Sequence, residues 1–173
     1  MHDATPADRV RDRTHDDLDA CVALATEVHR LDGYPAFLGD GGLAAFVAPD
    51  DAIGAWVAAL GAELVGHVML RPRSAPPSLE LAARELGVEP DRLGFVARLM
   101  VAPSARRLGV ARRLLDVAVG AAEARGLVAV LDVVTSDAGA VALYEATGWR
   151  RLGDLRFTMR HGGELALAVF ARR

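Results

Sequence analysis

Arg106-Arg107-Leu108-Gly109-Val110-Ala111 joins a predicted strand to a predicted helix. Before it, Phe95–Val101 is rich in apolar and β-branched residues, and Ala102-Pro103-Ser104 breaks that run. After it, apolar positions recur at helical spacing over Val110–Arg125. Gly109 lets the backbone pass close to a ligand with no Cβ in the way. The first N–H groups of the helix have no internal partner, and its dipole places partial positive charge at the same point. Arg106, Arg107, Arg112 and Arg113 crowd this turn. The arrangement suits a phosphate or pyrophosphate.

Two common phosphate-binding patterns do not account for it. A Walker-type loop needs a lysine, and the chain contains none. A dinucleotide fingerprint needs glycine where Arg107 stands.

Working outward, Asp16–Arg30 reads as a helix with carboxylates in its first turn, preceded by a short edge strand at Arg9–Arg13. Asp32-Gly33-Tyr34-Pro35 ends that helix, and a short helix near Leu43–Val47 follows. Ile53–Leu60 and Glu63–Leu70 form a hairpin through Gly61-Ala62. Ser78–Leu86 has helical character and leads to a strand at Leu93–Val101. Beyond the central helix come a largely buried strand at Leu127–Val134, a helix at Ala138–Thr147, and strands at Arg150–Leu155 and Glu164–Ala171. The element order is β-α-α-β-β-β-α-β-α-β-β, a mixed sheet with helices on both faces. Residues 1–8 read as a flexible tail and 9–173 as a single domain, within the size one core can support.

Composition limits what such a protein does. The net charge is −3, so no global basic field draws in nucleic acid. All 20 basic residues are arginine, the pattern expected of a GC-rich genome, so arginine at any one position is not read as a functional choice over lysine. Cys21 is the only cysteine, which excludes an intrachain disulfide and a cysteine-built metal site. It occupies an apolar helix position, as a small buried hydrophobe does. A polar N-terminus and the lack of a long apolar run predict a cytoplasmic protein without membrane attachment.

The turn also resembles the acyl-CoA signature [QR]-x-x-G-x-[GA] of the Gcn5-related N-acetyltransferase (GNAT) superfamily, through Arg106, Gly109 and Ala111. Leu99-Met100-Val101-Ala102-Pro103 is similar to the family's preceding strand, and Ala111-Arg112-Arg113-Leu114-Leu115 to its following helix. Asp137 to Trp149 resembles N-x-x-A-x-x-L-Y-x-x-x-G-[FW], with Ala140, Leu143, Tyr144, Gly148 and Trp149 in place. The hairpin with Gly66-His67-Val68 is similar to the family's second and third strands, so the likeness covers most of the chain.

The resemblance implies a mixed, mostly antiparallel sheet of six to seven strands, splayed between the fourth and fifth. It implies an acetyl-CoA-dependent N-acetyltransferase with no metal, in which an amine attacks the thioester directly in a ternary complex. Leu99, Met100 and Val101 would hold the pantetheine arm through the main chain, and an N–H of this strand would polarise the thioester carbonyl. Arg106, Arg107, Leu108, Gly109, Val110, Ala111 and Arg112 would hold the pyrophosphate, the guanidiniums adding charge-assisted contacts.

Tyr144 is the expected general acid for the departing thiolate and also lies at a CoA-binding position of the motif. Asp137 stands where the family has asparagine, which often touches the CoA arm. An aspartate equally suits a helix N-cap. The family's frequent glutamate on the strand before the turn is missing. Asp132, an acid that breaks an apolar strand, is the expected base, because some peptide α-amine acetylators carry glutamate five residues before the asparagine. His67 is a weaker candidate. Asp32 and Tyr34, in the Leu31–Gly42 loop with Phe37, lie where relatives shape the acceptor site.

Arg98 on a buried-looking strand must reach solvent, the CoA or a partner, because an unpaired buried charge is very costly. Directed into the acceptor cleft, it would favour an anionic substrate. The expected partners are acetyl-CoA and a small-molecule or peptide amine, without nucleic acid, and the late strands offer an edge for a homodimer. A second reading is a catalytically inactive acyl-CoA-binding regulatory module of the same fold.

Overall fold

The computed structural model describes residues 9–36, 38–158 and 163–172. The predicted tail and Phe37 lie outside them. Seven strands hydrogen-bond in the order β1-β2-β3-β4-β5-β7-β6. They are β1 (Arg9–Asp12), β2 (Gly54–Leu60), β3 (Glu63–Arg71), β4 (Leu93–Val101), β5 (Val128–Val134), β6 (Arg150–Thr158) and β7 (Glu164–Arg172). The helices are α1 (Leu18–Asp32), α2 (Gly42–Val47), α3 (Pro76–Leu86), α4 (Val110–Glu123) and α5 (Ala138–Ala146). Two compact units share the chain, Met1–Leu70 with Arg98–Ala118 and Arg71–Ala97 with Val119–Arg173.

In the first unit β1, β2 and β3 form an antiparallel meander, with a bulge between Ala58 and Ala59. Helix α1 buries Cys21, Leu24, Ala25 and Val28, a stripe at helical spacing. It stops at Gly33, whose φ of 69° is left-handed and whose N–H reaches the His29 carbonyl. The carboxylate of Asp17 ties the start of α1 to β1. Its two oxygens take 2.7 Å hydrogen bonds from the Arg11 guanidinium, and the Thr14 N–H donates at 2.7 Å as well. The Arg11 hydrogen bonds hold the Asp17 carboxyl well below the usual carboxylate range, against the opposing effect of burial. Helix α4 is amphipathic, as expected. Val110, Leu114, Leu115, Ala118, Val119 and Ala122 are buried, while Arg112 and Asp116 are exposed.

In the second unit β7 lies between β5 and β6, antiparallel to both. Leu81 and Ala82 of α3 pack in a cluster with Leu93, Phe95, Val130, Val169 and Ala171. The stretch read as having helical character is thus a full helix of 11 residues between β3 and β4, adding one helix to the expected order. Pro76 and Pro77 start it, where a missing N–H costs nothing. The two late strands run longer than predicted, to Thr158 and Arg172. β4 and β5 pair in parallel only over Leu93–Phe95 with Val128–Val130, whereas β5 continues against β7 to Val134. The expected parting of the fourth and fifth strands is therefore present.

Gly66 on β3 is hemmed in by three side chains of the first unit. A Cβ there would lie 2.8 Å from Leu114 Cδ1, 2.9 Å from Val110 Cγ1 and 3.2 Å from Ala58 Cβ. The Leu114 tip can rotate away, but a β-branched valine and a Cβ cannot. Gly66→Ala is expected to destabilise the fold by about 1–3 kcal/mol, read as a lower urea midpoint at unchanged slope.

Candidate active site

The turn before α4 has the shape its sequence suggested, with one addition. Gly109 is left-handed at φ 76°, and so is Arg107 at φ 64°. A left-handed non-glycine residue costs roughly 1–2 kcal/mol, so the surroundings must hold it. Left-handed residues in a tight turn bring neighbouring N–H groups round to one concavity, a geometry suited to anions. A Cβ on Gly109 would meet only Arg113 Nη1, at 3.5 Å, so the space beside the glycine is open. Leu108, Arg107 and Arg112 are exposed, whereas Val110 is buried and Ala111 half-buried. Arg113 turns back, donating to the Leu108 carbonyl at 3.2 Å. This side chain therefore braces the turn.

Arg106 and Asp32, expected to serve cosubstrate and acceptor respectively, are in contact. The guanidinium donates through both terminal nitrogens to the Asp32 carboxylate, from Nη1 to Oδ1 at 3.4 Å and from Nη2 to Oδ2. Both side chains are about two-fifths exposed (43% and 39%), so the pair adds little stability, on the order of 0–1 kcal/mol. Its consequence is positional, because it joins the C-terminal end of α1 to the turn before α4.

Arg98 and Tyr34 converge on Phe46 of α2, a residue the sequence did not single out. The Arg98 guanidinium lies 4.5 Å from the Phe46 ring centroid and donates to the Phe46 carbonyl. Tyr34 meets the same ring edge-on at 5.7 Å. Of the destinations foreseen for Arg98, the structure supplies a partner inside the protein. Arg98 itself is left-handed at φ 56° within β4, so the strand kinks there. Its backbone carbonyl lies 3.0 Å from His67 Nδ1. Leu99 and Val101, just beyond the kink, are half-buried, and Met100 is buried.

A carbonyl can only accept, so His67 Nδ1 carries the proton and Nε2 has the lone pair. Arg13 Nη1 is 3.3 Å from Nε2 and also donates to the Val47 carbonyl. Both ring nitrogens are thus engaged, which leaves no lone pair of His67 for an incoming amine. Burial, opposed by the Arg98 hydrogen bond and aided by the charges of Arg13 and Arg98, pushes the His67 pKa down to about 4. Cys21 is fully buried, and burial pushes its thiol up to about 11.

The second unit holds the remaining expected residues. Asp132 is half-buried on β5, two positions past the last β4 pairing, and its Oδ2 accepts from Ser74 Oγ at 2.7 Å. Its other oxygen accepts no hydrogen bond among the described residues. Asp137 caps α5, its Oδ1 accepting from the Ala140 N–H at 2.9 Å. Tyr144 is buried, edge-on to Trp149 at 6.0 Å and tilted against Phe170 at 5.9 Å. Ser74, Phe46 and Arg13 are the residues that sequence reasoning missed. Each acts through a partner distant in the chain, and none belongs to a motif.

The neutral His67 has a thermodynamic signature. Its folded pKa lies below the ordinary value of 6.5, so the unfolded chain binds the extra proton as pH falls. The stability it lends is whole above about 6.5 and drains away down to about 4, a loss of order 3 kcal/mol. Urea unfolding at pH 7 and pH 4 is expected to show this loss in the native chain and a smaller one in His67→Asn.

The chain matches the acetyltransferase (GNAT) family over residues 19–149. No curated protein matches it. Among solved structures it is similar to the ribosomal-protein-S18-alanine N-acetyltransferase of Escherichia coli, at 19% identity and TM-score 0.66, covering 95% of this chain and 93% of that one. A Gcn5-related N-acetyltransferase from Kribbella flavida is 22% identical with a TM-score of 0.68, covering 98% and 99% of the two chains. Arabidopsis thaliana NAA60, in complex with a bisubstrate analogue, is 19% identical with a TM-score of 0.67, covering 95% and 97%. At these identities the neighbours speak for the fold alone, and the family match speaks for the rest: this chain belongs to the acetyltransferase (GNAT) family.

Proposed function

We propose that this protein transfers an acetyl group from acetyl-CoA to a primary amine by direct attack. The observation that carries this reading is the turn Arg106–Gly109, with left-handed residues at 107 and 109 ahead of α4 in a chain of this family. Main-chain N–H groups there would bind the CoA pyrophosphate, with Arg106, Arg107 and Arg112 adding charge. The main chain of Leu99–Val101 would hold the pantetheine arm.

In the reaction the amine nitrogen attacks the thioester carbonyl carbon, and the C–S bond breaks as the tetrahedral species collapses. The proton leaving nitrogen goes to Asp132, directly or through water. Support for that role comes from the oxygen that Ser74 leaves unused. The departing thiolate takes its proton from the Tyr144 hydroxyl. Asp137 serves this reading as the cap of α5, and its contact with the CoA arm belongs to the proposal. Asp32, Tyr34 and Arg98 would shape the acceptor's approach. The cluster of Tyr34 and Arg98 with Phe46 supports an acceptor site at the Leu31–Gly42 loop.

Calorimetric titration with acetyl-CoA tests the first half. Micromolar binding is expected, lost in Gly109→Glu, whose carboxylate would sit in the anion's place on a strained backbone. A folded native chain that binds no acetyl-CoA overturns the reading. The second half is tested by a free-thiol release assay over a panel of amines. Tyr144→Phe and Asp132→Asn are each expected to lower kcat by 10²- to 10⁴-fold with acetyl-CoA affinity unchanged. Binding without turnover across the panel would favour the regulatory module instead.

A further inference from the structure

His67 and Arg13 have no part in the chemistry above, yet they form a polar cluster of the first unit held from several sides. The imidazole is fully buried and held at both nitrogens, by the Arg98 carbonyl at 3.0 Å and by Arg13 Nη1 at 3.3 Å. Arg13 is itself anchored, its N–H donating to the Ala55 carbonyl at 2.9 Å and its guanidinium to the Val47 carbonyl. The object they hold is the kink of β4, where Arg98 stands at φ 56°.

The Arg98 carbonyl and the Leu99 N–H belong to one trans peptide plane, so they point in opposite directions. Pinning the carbonyl on the imidazole therefore aims the Leu99 N–H away from it. A strand residue in regular extended conformation would not send its carbonyl there. Replacing His67 frees the plane to rotate, and the N–H loses its aim.

We infer that His67, braced by Arg13, is a positioning residue that directs the Leu99 N–H at the carbonyl oxygen of the acyl thioester. This rests on the acetyl-CoA reading and adds to it the side chains that prepare a backbone donor before the cosubstrate arrives. Preorganisation is what makes such a donor effective, because no reorientation is needed as charge develops on the oxygen.

Ligand pairs that differ only at that oxygen test the inference without knowledge of the acceptor. Acetyl-CoA carries the carbonyl, and S-ethyl-CoA, its thioether counterpart, does not. The native protein is expected to bind acetyl-CoA about fivefold more tightly, the worth of one neutral hydrogen bond. His67→Leu is expected to bind both ligands equally, with the S-ethyl-CoA affinity unchanged. His67→Asn can place an amide N–H near the position of Nδ1 and should restore the preference, which a loss of packing alone would not explain. Arg13→Met, which leaves the imidazole in place without its brace, should lose at least half of the preference and gives the answer should His67→Leu not fold. A full preference in His67→Leu or in Arg13→Met overturns the inference, as does a native protein that binds both ligands equally. A native protein that binds neither ligand instead overturns the acetyl-CoA reading itself.

Discussion

The hydrogen bond from His67 to the Arg98 carbonyl is the constraint on which the first unit turns. A strand that carried on regularly through Arg98 would pair along its whole length and present no backbone group to a ligand. The left-handed residue breaks that regularity, and such a residue survives in a strand only when its neighbours over-determine it. Here they do so from two directions. The imidazole takes the carbonyl from inside, while the guanidinium of Arg98 is held over the Phe46 ring and by the Phe46 carbonyl. One kink thus ties β3, β4 and α2 together. Burial above all, and then the two guanidiniums beside the ring, keep this histidine in its neutral form.

The arginines divide by role in a way composition conceals. Arg11 neutralises Asp17 and joins β1 to α1, and Arg13 braces His67. Arg113 folds back on the Leu108 carbonyl and stiffens the turn before α4. Arg106 is bound to Asp32, so a pyrophosphate arriving at the turn would meet a guanidinium already paired with a carboxylate at the end of α1. Arg107 and Arg112 remain exposed. Charge near a turn is therefore a poor count of charge available to a ligand.

In the second unit the two residues assigned to chemistry sit in contrasting surroundings. Tyr144 is wedged between Trp149 and Phe170, which fixes its ring. Asp132 is half-buried with a single hydroxyl partner, surroundings in which a carboxylate stays accessible. β5 holds Asp132 against Val169 of β7, beyond the reach of the parallel pairing with β4.

Local order decided most of what could be read directly. The amphipathic spacing of α4, the glycine before it, the Gly61-Ala62 hairpin and the aspartate that caps α5 are properties of neighbouring residues, and each is found where its pattern placed it. Motifs of fixed spacing identified the family for the same reason, since spacing along one turn or helix is preserved in the fold. Only the tertiary structure decided the rest. Asp32 meets Arg106 across 74 positions, Ser74 meets Asp132 across 58, and His67 meets the Arg98 carbonyl across 31. No periodicity encodes such pairs, because they depend on how strands and loops are brought side by side. The left-handed backbone of Arg98 and Arg107 was hidden as well, because arginine does not favour that region and takes it only where its surroundings compel it. The sequence determined which elements form and which family they build, through short-range sterics and periodicity. Folding determined which nitrogen of His67 carries its proton and where the backbone of β4 points, because those depend on groups that meet only once the chain is packed.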